Sequence, residues 1–205
     1  MKEDLKGKKV LLRPTPYKQS HPRGCGPSSL LMILNFFLPD QFPLTREKEL
    51  EIYNFAKFRD DGSTSIPGLA EYALRAGMKA RLWTRGRLPG QPENMPETEY
   101  LQAIEVLKQH LSDATGHGLE LRIGDFKIPE LLLEELHARR LIVALVRLNR
   151  SATITHNIVI RGHDNYKICC VDPMESFGFV VYSIPIIEYM MDTPFAKCAL
   201  AIGPS

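Results

Sequence analysis

The 205-residue sequence has few cysteines, and none stands in a pattern that would tie it to a metal or to a disulfide framework. Cys25, Cys169, Cys170 and Cys198 form no C-x-x-C pair and have no neighbouring histidine at zinc-ligand spacing. We therefore expect neither a metal nor a cofactor. Cys169, Cys170 and Cys198 are interpreted as reduced core or sheet residues.

Long apolar runs and clusters of basic charge are also missing. The longest apolar run, around Leu30 to Leu38, is interrupted by Asn35 and has about half of the ~20 residues that a membrane span needs. The polar start, MKEDLKGKKV, lacks the apolar centre of a secretory signal. With 26 Lys and Arg against 24 Asp and Glu, no basic run interleaves with aromatic residues as a nucleic-acid groove would need. We expect a cytoplasmic protein with no membrane span and no nucleic-acid partner.

Apolar spacing changes along the chain from the helical period to that of strands. Helices are predicted with Pro27 in a first helical position, after Thr45, within STSIPGLAEYALRAG, in EYLQAIEVLKQHL and in IPELLLEELHARR, and KARLWTR alternates like a short strand. After residue 140, short β-branched runs separated by turn residues indicate an antiparallel sheet. The sequence predicts one α+β domain over 1–205, with a helical lobe at about 17–140, a sheet lobe at about 141–203 and a cleft between them.

A cysteine between two glycines opens the first predicted helix, in YKQSHPRGCGPSSLLMILNFFLP. At a helix N-terminus, Cys25 faces the positive end of the macrodipole, which favours the reactive thiolate. Gly24 and Gly26 allow strained backbone angles and the close approach of a substrate carbonyl. On this stretch alone, a buried structural cysteine at a tight turn fits equally well.

A thiol nucleophile needs a base that is distant in sequence and near in space. His156 begins the strand HNIVIRG, 131 residues after Cys25, and Asp172 ends the next predicted strand. If GHDNY turns these strands into a hairpin, the start of one lies beside the end of the other, which brings His156 and Asp172 together. Gln19 and the Cys25 backbone N–H are candidate donors to a developing oxyanion.

The other histidines are weaker candidates for the base. His110, His117 and His137 lie on or beside predicted helices in polar contexts, which indicates the surface. His163 competes with His156, but it falls in the predicted turn beside Asp164 and is also interpreted as a surface residue. His21 lies close enough to Cys25 in the chain to remain a minor alternative.

Four segments together resemble the C39-like cysteine peptidases, a branch of the papain-like group related to bacteriocin-processing peptidases: QSHPRGCGPSSL, IPGLAEYALRAGMKARL, LLEELHARRLIVALVRL, and HNIVIRGHD with VDP. The resemblance implies a papain-like fold. It implies Gln19 as oxyanion-hole donor, Cys25 as nucleophile, His156 as general base and then acid, and Asp172 as the group that orients the imidazole.

The chain departs from the family pattern at three places that bear on specificity. His163 stands where an aromatic residue is expected, Gly24 replaces a polar residue, and 86–118 looks like an insertion.

The function that we expect from these residues is a thiol hydrolase for a peptide or amide substrate, with a precursor peptide among the candidates. An acyltransferase or transpeptidase would use the same thioester, with an amine replacing water. A non-catalytic peptide-binding module is the second class of alternative.

Overall fold

The structure of the protein, a computed structural model, describes seven stretches of the chain: 9–59, 62–85, 96–148, 155–164, 167–175, 178–193 and 197–205. The helices of the described residues are α1 (Cys25–Phe37), α2 (Arg46–Ala56), α3 (Ile66–Arg75), α4 (Glu97–Gly116), α5 (Ile128–Leu131), which runs on into a π-helical turn at Leu132–Leu136, and α6 (Ile184–Met191). The strands are β1 (Lys9–Leu11), β2 (Lys79–Thr84), β3 (Glu120–Ile123), β4 (Leu141–Arg147), β5 (Thr155–Asp164), β6 (Lys167–Val171), β7 (Phe179–Ser183) and β8 (Cys198–Gly203).

The eight strands form one sheet in the order β3-β2-β8-β4-β5-β6-β7, and β1 pairs with β5. Every pairing is antiparallel except that of β2 with β3. Helices α1 to α3 pack on one face, and α5, its π-helical turn and α6 pack on the other. The predicted α+β class is therefore confirmed. The lobe boundary near residue 140 stays a prediction, since β2 and β3 of the first part join the same sheet.

Local sequence explains the burial of α1 and the ends of α2 and α3. Helix α1 is buried along Leu30–Leu34 because this part of the helix is apolar on every side. The Thr45 and Ser65 hydroxyls accept hydrogen bonds from the N–H groups of Lys48 and Gly68, as expected for N-caps. Gly77 ends α3 with a φ of +82°, a conformation that glycine adopts without strain.

Several elements differ from the prediction. Strands β1 and β3 and helix α6 were not predicted. Helix α6 follows β7 directly, and Pro185 lies in its first turn. Helix α2 buries Glu49, Ile52 and Ala56, so one of its buried residues is an acid that the apolar spacing does not indicate. Of the predicted insertion, 86–95 lies outside the described residues, and α4 forms most of the remainder and packs on α3.

No helix among the described residues is both long enough and apolar enough to cross a membrane.

His163 lies inside the protein, so its predicted surface position is wrong. It is 1% exposed, and neither ring nitrogen has a hydrogen-bond partner among the described residues. Strand β5 extends through the predicted turn as far as Asp164 and pairs with β1, with Val10 opposite His163. Burial and, to a smaller extent, the nearby His137 lower the pKa of His163.

Acid is expected to destabilise the protein through His163. An unfolded histidine has a pKa of about 6.5, and the folded value is lower. Between the two values the unfolded state binds more protons, so the free energy of unfolding falls as the pH drops below about 6.5, and nothing is lost above it.

Thermal unfolding between about pH 7.5 and 5 would measure this effect. His163→Phe should lose less stability on acidification than the parent protein, whereas a variant at the exposed His117 should follow the parent. Equal losses in the parent and His163→Phe would contradict the prediction.

Candidate active site

Cys25 is the first residue of α1 and is partly exposed, while the residues that follow it are buried. The Gly24 carbonyl accepts from the Ser28 N–H at 2.8 Å and so starts the helical hydrogen bonds. The Cys25 and Gly26 N–H groups belong to the first turn, which has no helical acceptors. These two N–H groups therefore lie at the positive end of the helix, next to the residue that carries the thiol.

His156 and Asp172 meet where the paired strands β5 and β6 begin and end, respectively. His156 Nε2 lies 2.7 Å from Asp172 Oδ1, and both side chains are buried. The Asp172 carboxyl group also accepts from the Met174 N–H at 2.8 Å. Its backbone N–H donates to the Gly178 carbonyl, which fixes the turn after β6. The antiparallel hairpin that the sequence predicts is thus present.

The same imidazole lies close enough to the Cys25 thiol to act on its pKa as a hydrogen-bonding partner and as a charge. Burial raises the pKa of Cys25, but the hydrogen bond and charge of His156 and hydrogen bonds from Asn157 outweigh it, so that the net pKa is lowered. Burial opposes the charge on His156, yet the bonds to Asp172 and Cys25 raise its pKa to about 9. Burial likewise acts against the Asp172 charge, but His156 and the Met174 N–H hold the pKa of Asp172 below its usual value. At neutral pH the arrangement favours a thiolate beside an imidazolium.

Gln19 lies in the loop before α1, and its backbone N–H donates to the Pro173 carbonyl at 2.9 Å. Its Nε2 donates to the His21 carbonyl at 3.0 Å and to the Pro22 carbonyl at 3.4 Å. No hydrogen bond within the described stretches joins Gln19 to Cys25 or His156. The structure therefore brings Cys25, His156 and Asp172 into contact and leaves the Gln19 amide turned to its own loop.

Glu49 is a buried acid that the sequence did not predict for this region. Its carboxyl group accepts from the Ser20 N–H at 2.8 Å, the His21 N–H at 3.3 Å and the Tyr17 hydroxyl at 3.0 Å. Burial and the nearby Glu49 together raise the pKa of Tyr17 to about 12. A side chain from α2 thus holds the loop that leads to Cys25.

Gly24 is required by the same contact. A Cβ on Gly24 would lie 2.1 Å from Glu49 Oε1 and 2.9 Å from the His21 carbonyl oxygen. Only glycine fits between the buried acid and the turn, so the departure from the family pattern at this position has a steric cause.

Asn157 is a second residue that sequence reasoning missed. Its Nδ2 lies 3.6 Å from the Cys25 sulfur, and the side chain is 6% exposed. A polar residue inside the apolar run HNIVI was the available signal.

The remaining histidines and cysteines lie apart from this contact chain. The His21 ring packs on Tyr53, with centroids 4.5 Å apart. His110 is half-buried against the Ser65 hydroxyl, at 2.7 Å, so its predicted surface position is wrong; His117 and His137 are exposed as predicted.

Cys169, Cys170 and Cys198 are unpaired thiols, and burial raises the pKa of Cys198 to about 12. Within the described ranges, no group of three His, Cys, Asp or Glu side chains could hold a metal ion.

Comparisons with known proteins give a fold and a family. The structure is similar to the peptidase domain of Streptococcus ComA, a bifunctional ABC transporter involved in a quorum-sensing pathway, with TM-score 0.51 and 13% identity over 94% of this chain and 100% of that domain. It is also similar to a protein from Bacillus anthracis described as a C39-like peptidase, with TM-score 0.50 and 16% identity over 97% of this chain and 98% of that one. At such identities the likeness shows the cysteine-peptidase fold alone.

No curated protein matches the sequence. The model of the Peptidase C39-like family matches residues 15–182, which is well over half of the chain and includes every residue of the contact chain described above. The chain therefore belongs to the Peptidase C39-like family.

Proposed function

We propose that this protein is a cysteine-dependent hydrolase that cleaves a peptide or amide bond through a thioester on Cys25. The observation that carries the proposal is the continuous contact from Asp172 to His156 to Cys25, with the thiol pKa lowered and the imidazole pKa raised to about 9. When the pKa values of a neighbouring cysteine and histidine both shift toward the charged forms, the pair is poised as thiolate and imidazolium, which is the state that an activated thiol nucleophile requires.

In the first half of the reaction, the Cys25 thiolate attacks the substrate carbonyl carbon and the carbonyl electron pair moves to oxygen. The tetrahedral intermediate then collapses, the C–N bond breaks, and His156 gives its proton to the leaving amine. In the second half, His156 takes a proton from water, the hydroxide attacks the thioester, and the Cys25 thiolate leaves. Asp172 keeps the ring oriented and stabilises its charge throughout.

The oxyanion needs donors beside the sulfur. The Cys25 N–H has no helical acceptor and supports this role directly. Gln19 is proposed as the second donor, and it can act only if its Nε2 turns away from the His21 and Pro22 carbonyls that it now contacts. In this proposal the peptide substrate lies between the helical part of a single domain, about 17–140, and the sheet part, about 141–203.

The direct test is the rate of Cys25 alkylation by iodoacetamide as a function of pH, with the modified residue identified by mass spectrometry. The parent protein should react fast well below the free-thiol pKa of about 8.5. In His156→Ala the rise of the alkylation rate should move to higher pH, because no imidazolium stabilises the thiolate. His117→Ala is the matched control, since its ring is exposed and hydrogen-bonds only the Asp113 carbonyl of α4 among the described residues.

If Cys25 of the parent protein is alkylated with the pH dependence of a free thiol, and His156→Ala has no effect, the proposal that the protein is a hydrolase is rejected.

A further inference from the structure

Asn157 follows His156 in β5 but approaches the sulfur from a different direction. On β4, His156 lies opposite Val146 and Asn157 opposite Leu145. Side chains alternate along a strand, so Asn157 projects with Leu145 toward the face that α1 covers. There its Nδ2 contacts the Cys25 sulfur at 3.6 Å, a distance that suits an N–H donor to an atom larger than oxygen.

The hydrogen bonds of the Asn157 side chain give it no structural reason to be buried. Its Oδ1 is buried and has no partner among the described residues, and its one side-chain bond there is the contact with Cys25. The tie between this part of β5 and α1 is made instead by the main chain, because the Ser29 hydroxyl donates to the Asn157 carbonyl at 3.3 Å. A buried amide left half unsatisfied is costly, and such a group calls for a reason other than stability.

Gly26 packs closely against the same amide. A Cβ on Gly26 would lie 3.3 Å from Asn157 Nδ2, 3.0 Å from Leu69 Cδ1 and 2.8 Å from Thr64 Oγ1. A larger residue next to Cys25 would therefore crowd the amide, and crowd Thr64 and Leu69 more.

We propose that the Asn157 side chain is a further catalytic group, which donates a hydrogen bond to the Cys25 sulfur and holds the thiolate ready for attack. The inference rests on the proposed function, because it concerns the same nucleophile. Asn157 transfers no proton. The sulfur lone pair forms the C–S bond, and the negative charge passes from sulfur to the carbonyl oxygen. The hydrogen bond from the Asn157 N–H to the sulfur weakens as that charge leaves. Because the amide stays neutral, its effect on the thiolate continues at a pH where His156 has lost its proton.

The test is the pH dependence of iodoacetamide alkylation of Cys25 in the parent protein, Asn157→Ala, Asn157→Val and the control Ser28→Ala. Ser28 is a buried residue of α1 whose hydroxyl has no partner in the described part of the chain, so its removal reports only on a lost buried polar group. In both Asn157 variants the midpoint of the alkylation rate against pH should rise by about one pH unit. At pH values below the midpoint of the parent protein, labelling should therefore be about tenfold slower.

Two further readouts separate a catalytic role from a structural one. The melting temperatures of the Asn157 variants should equal or exceed that of the parent protein, since a buried unpaired carbonyl is removed. His156→Ala/Asn157→Ala should label more slowly than His156→Ala alone, because the two groups act on the sulfur separately.

The outcomes distinguish this inference from the proposed function. If Cys25 of the parent protein is alkylated with the pH dependence of a free thiol, the proposed hydrolase function itself is overturned. A low midpoint that depends on His156 but is unchanged in both Asn157 variants would overturn the role of Asn157 alone. Loss of folding in Asn157→Ala and Asn157→Val, with Ser28→Ala intact, would assign the amide to structure and overturn it equally.

Discussion

Replacing Cys25 with alanine is expected to abolish hydrolysis of any amide substrate, and His156→Ala is expected to lower kcat/KM by at least about 10³-fold. The second loss is large because, in the proposed mechanism, one ring supplies the thiolate's counter-charge, the proton for the leaving amine and the base for the attacking water. The measurement is release of amine from a peptide library, first screened with the parent protein and then repeated with each variant on the substrate found.

Two further variants serve as comparisons for this result, one at an exposed histidine and one at the buried carboxylate beside the ring. His117→Ala, at an exposed site, should retain the parent rate. Asp172→Asn keeps a side chain of the same shape beside the ring but removes its charge, so a smaller loss of roughly 10²-fold is expected. A Cys25→Ala protein that still released amine at the parent rate would require another nucleophile and would end the proposed mechanism.

Glu49→Ala is expected to lower the free energy of unfolding by about 2–4 kcal/mol, which is a large share of the stability of a domain. The Ser20 and His21 N–H groups and the Tyr17 hydroxyl would lose their common acceptor inside the protein. Chemical denaturation monitored by circular dichroism would measure the change.

Glu47 is the matched control, because it lies on the same helix α2 and is exposed. Glu47→Ala should change the free energy of unfolding far less than Glu49→Ala does, because the Glu47 side chain stays in solvent. Folded Glu49→Ala protein should also show slower alkylation of Cys25, since the loop before the nucleophile is no longer held. Equal stabilities for the two variants would mean that Glu49 does not brace this loop.

The first three helices and the central strands could be predicted because their signals are local. Thr45 and Ser65 cap helices with their own hydroxyls, and Gly77 ends one with its own backbone. Strand β3 was not predicted, because its sequence ELRI is only four residues long and all four residues are exposed, so its polar/apolar alternation does not correspond to a buried face. Its pairing with β2 in the sheet makes it a strand.

The candidate site could be predicted where a topological rule connects distant residues. A hairpin brings the start of one strand to the end of the next, and this was enough to pair His156 with Asp172. Glu49 and Asn157 followed no such rule. Glu49 lies in REKELE, where each charged residue looks solvated, and it is buried because three donors of another segment converge on it. His163 was misplaced for the same reason, since the strand that covers it, β1, was not predicted.

The contact from α1 to β5 and β6 also has a consequence for the order of synthesis. The ribosome makes Cys25 early, and nearly 150 further residues must follow before Asp172 exists. Because chains are synthesised from the N-terminus and domains fold as units, the Cys25 thiol has no imidazole partner until the hairpin has emerged and docked. In the proposed mechanism, the sulfur therefore gains its full reactivity only after most of the chain has been made.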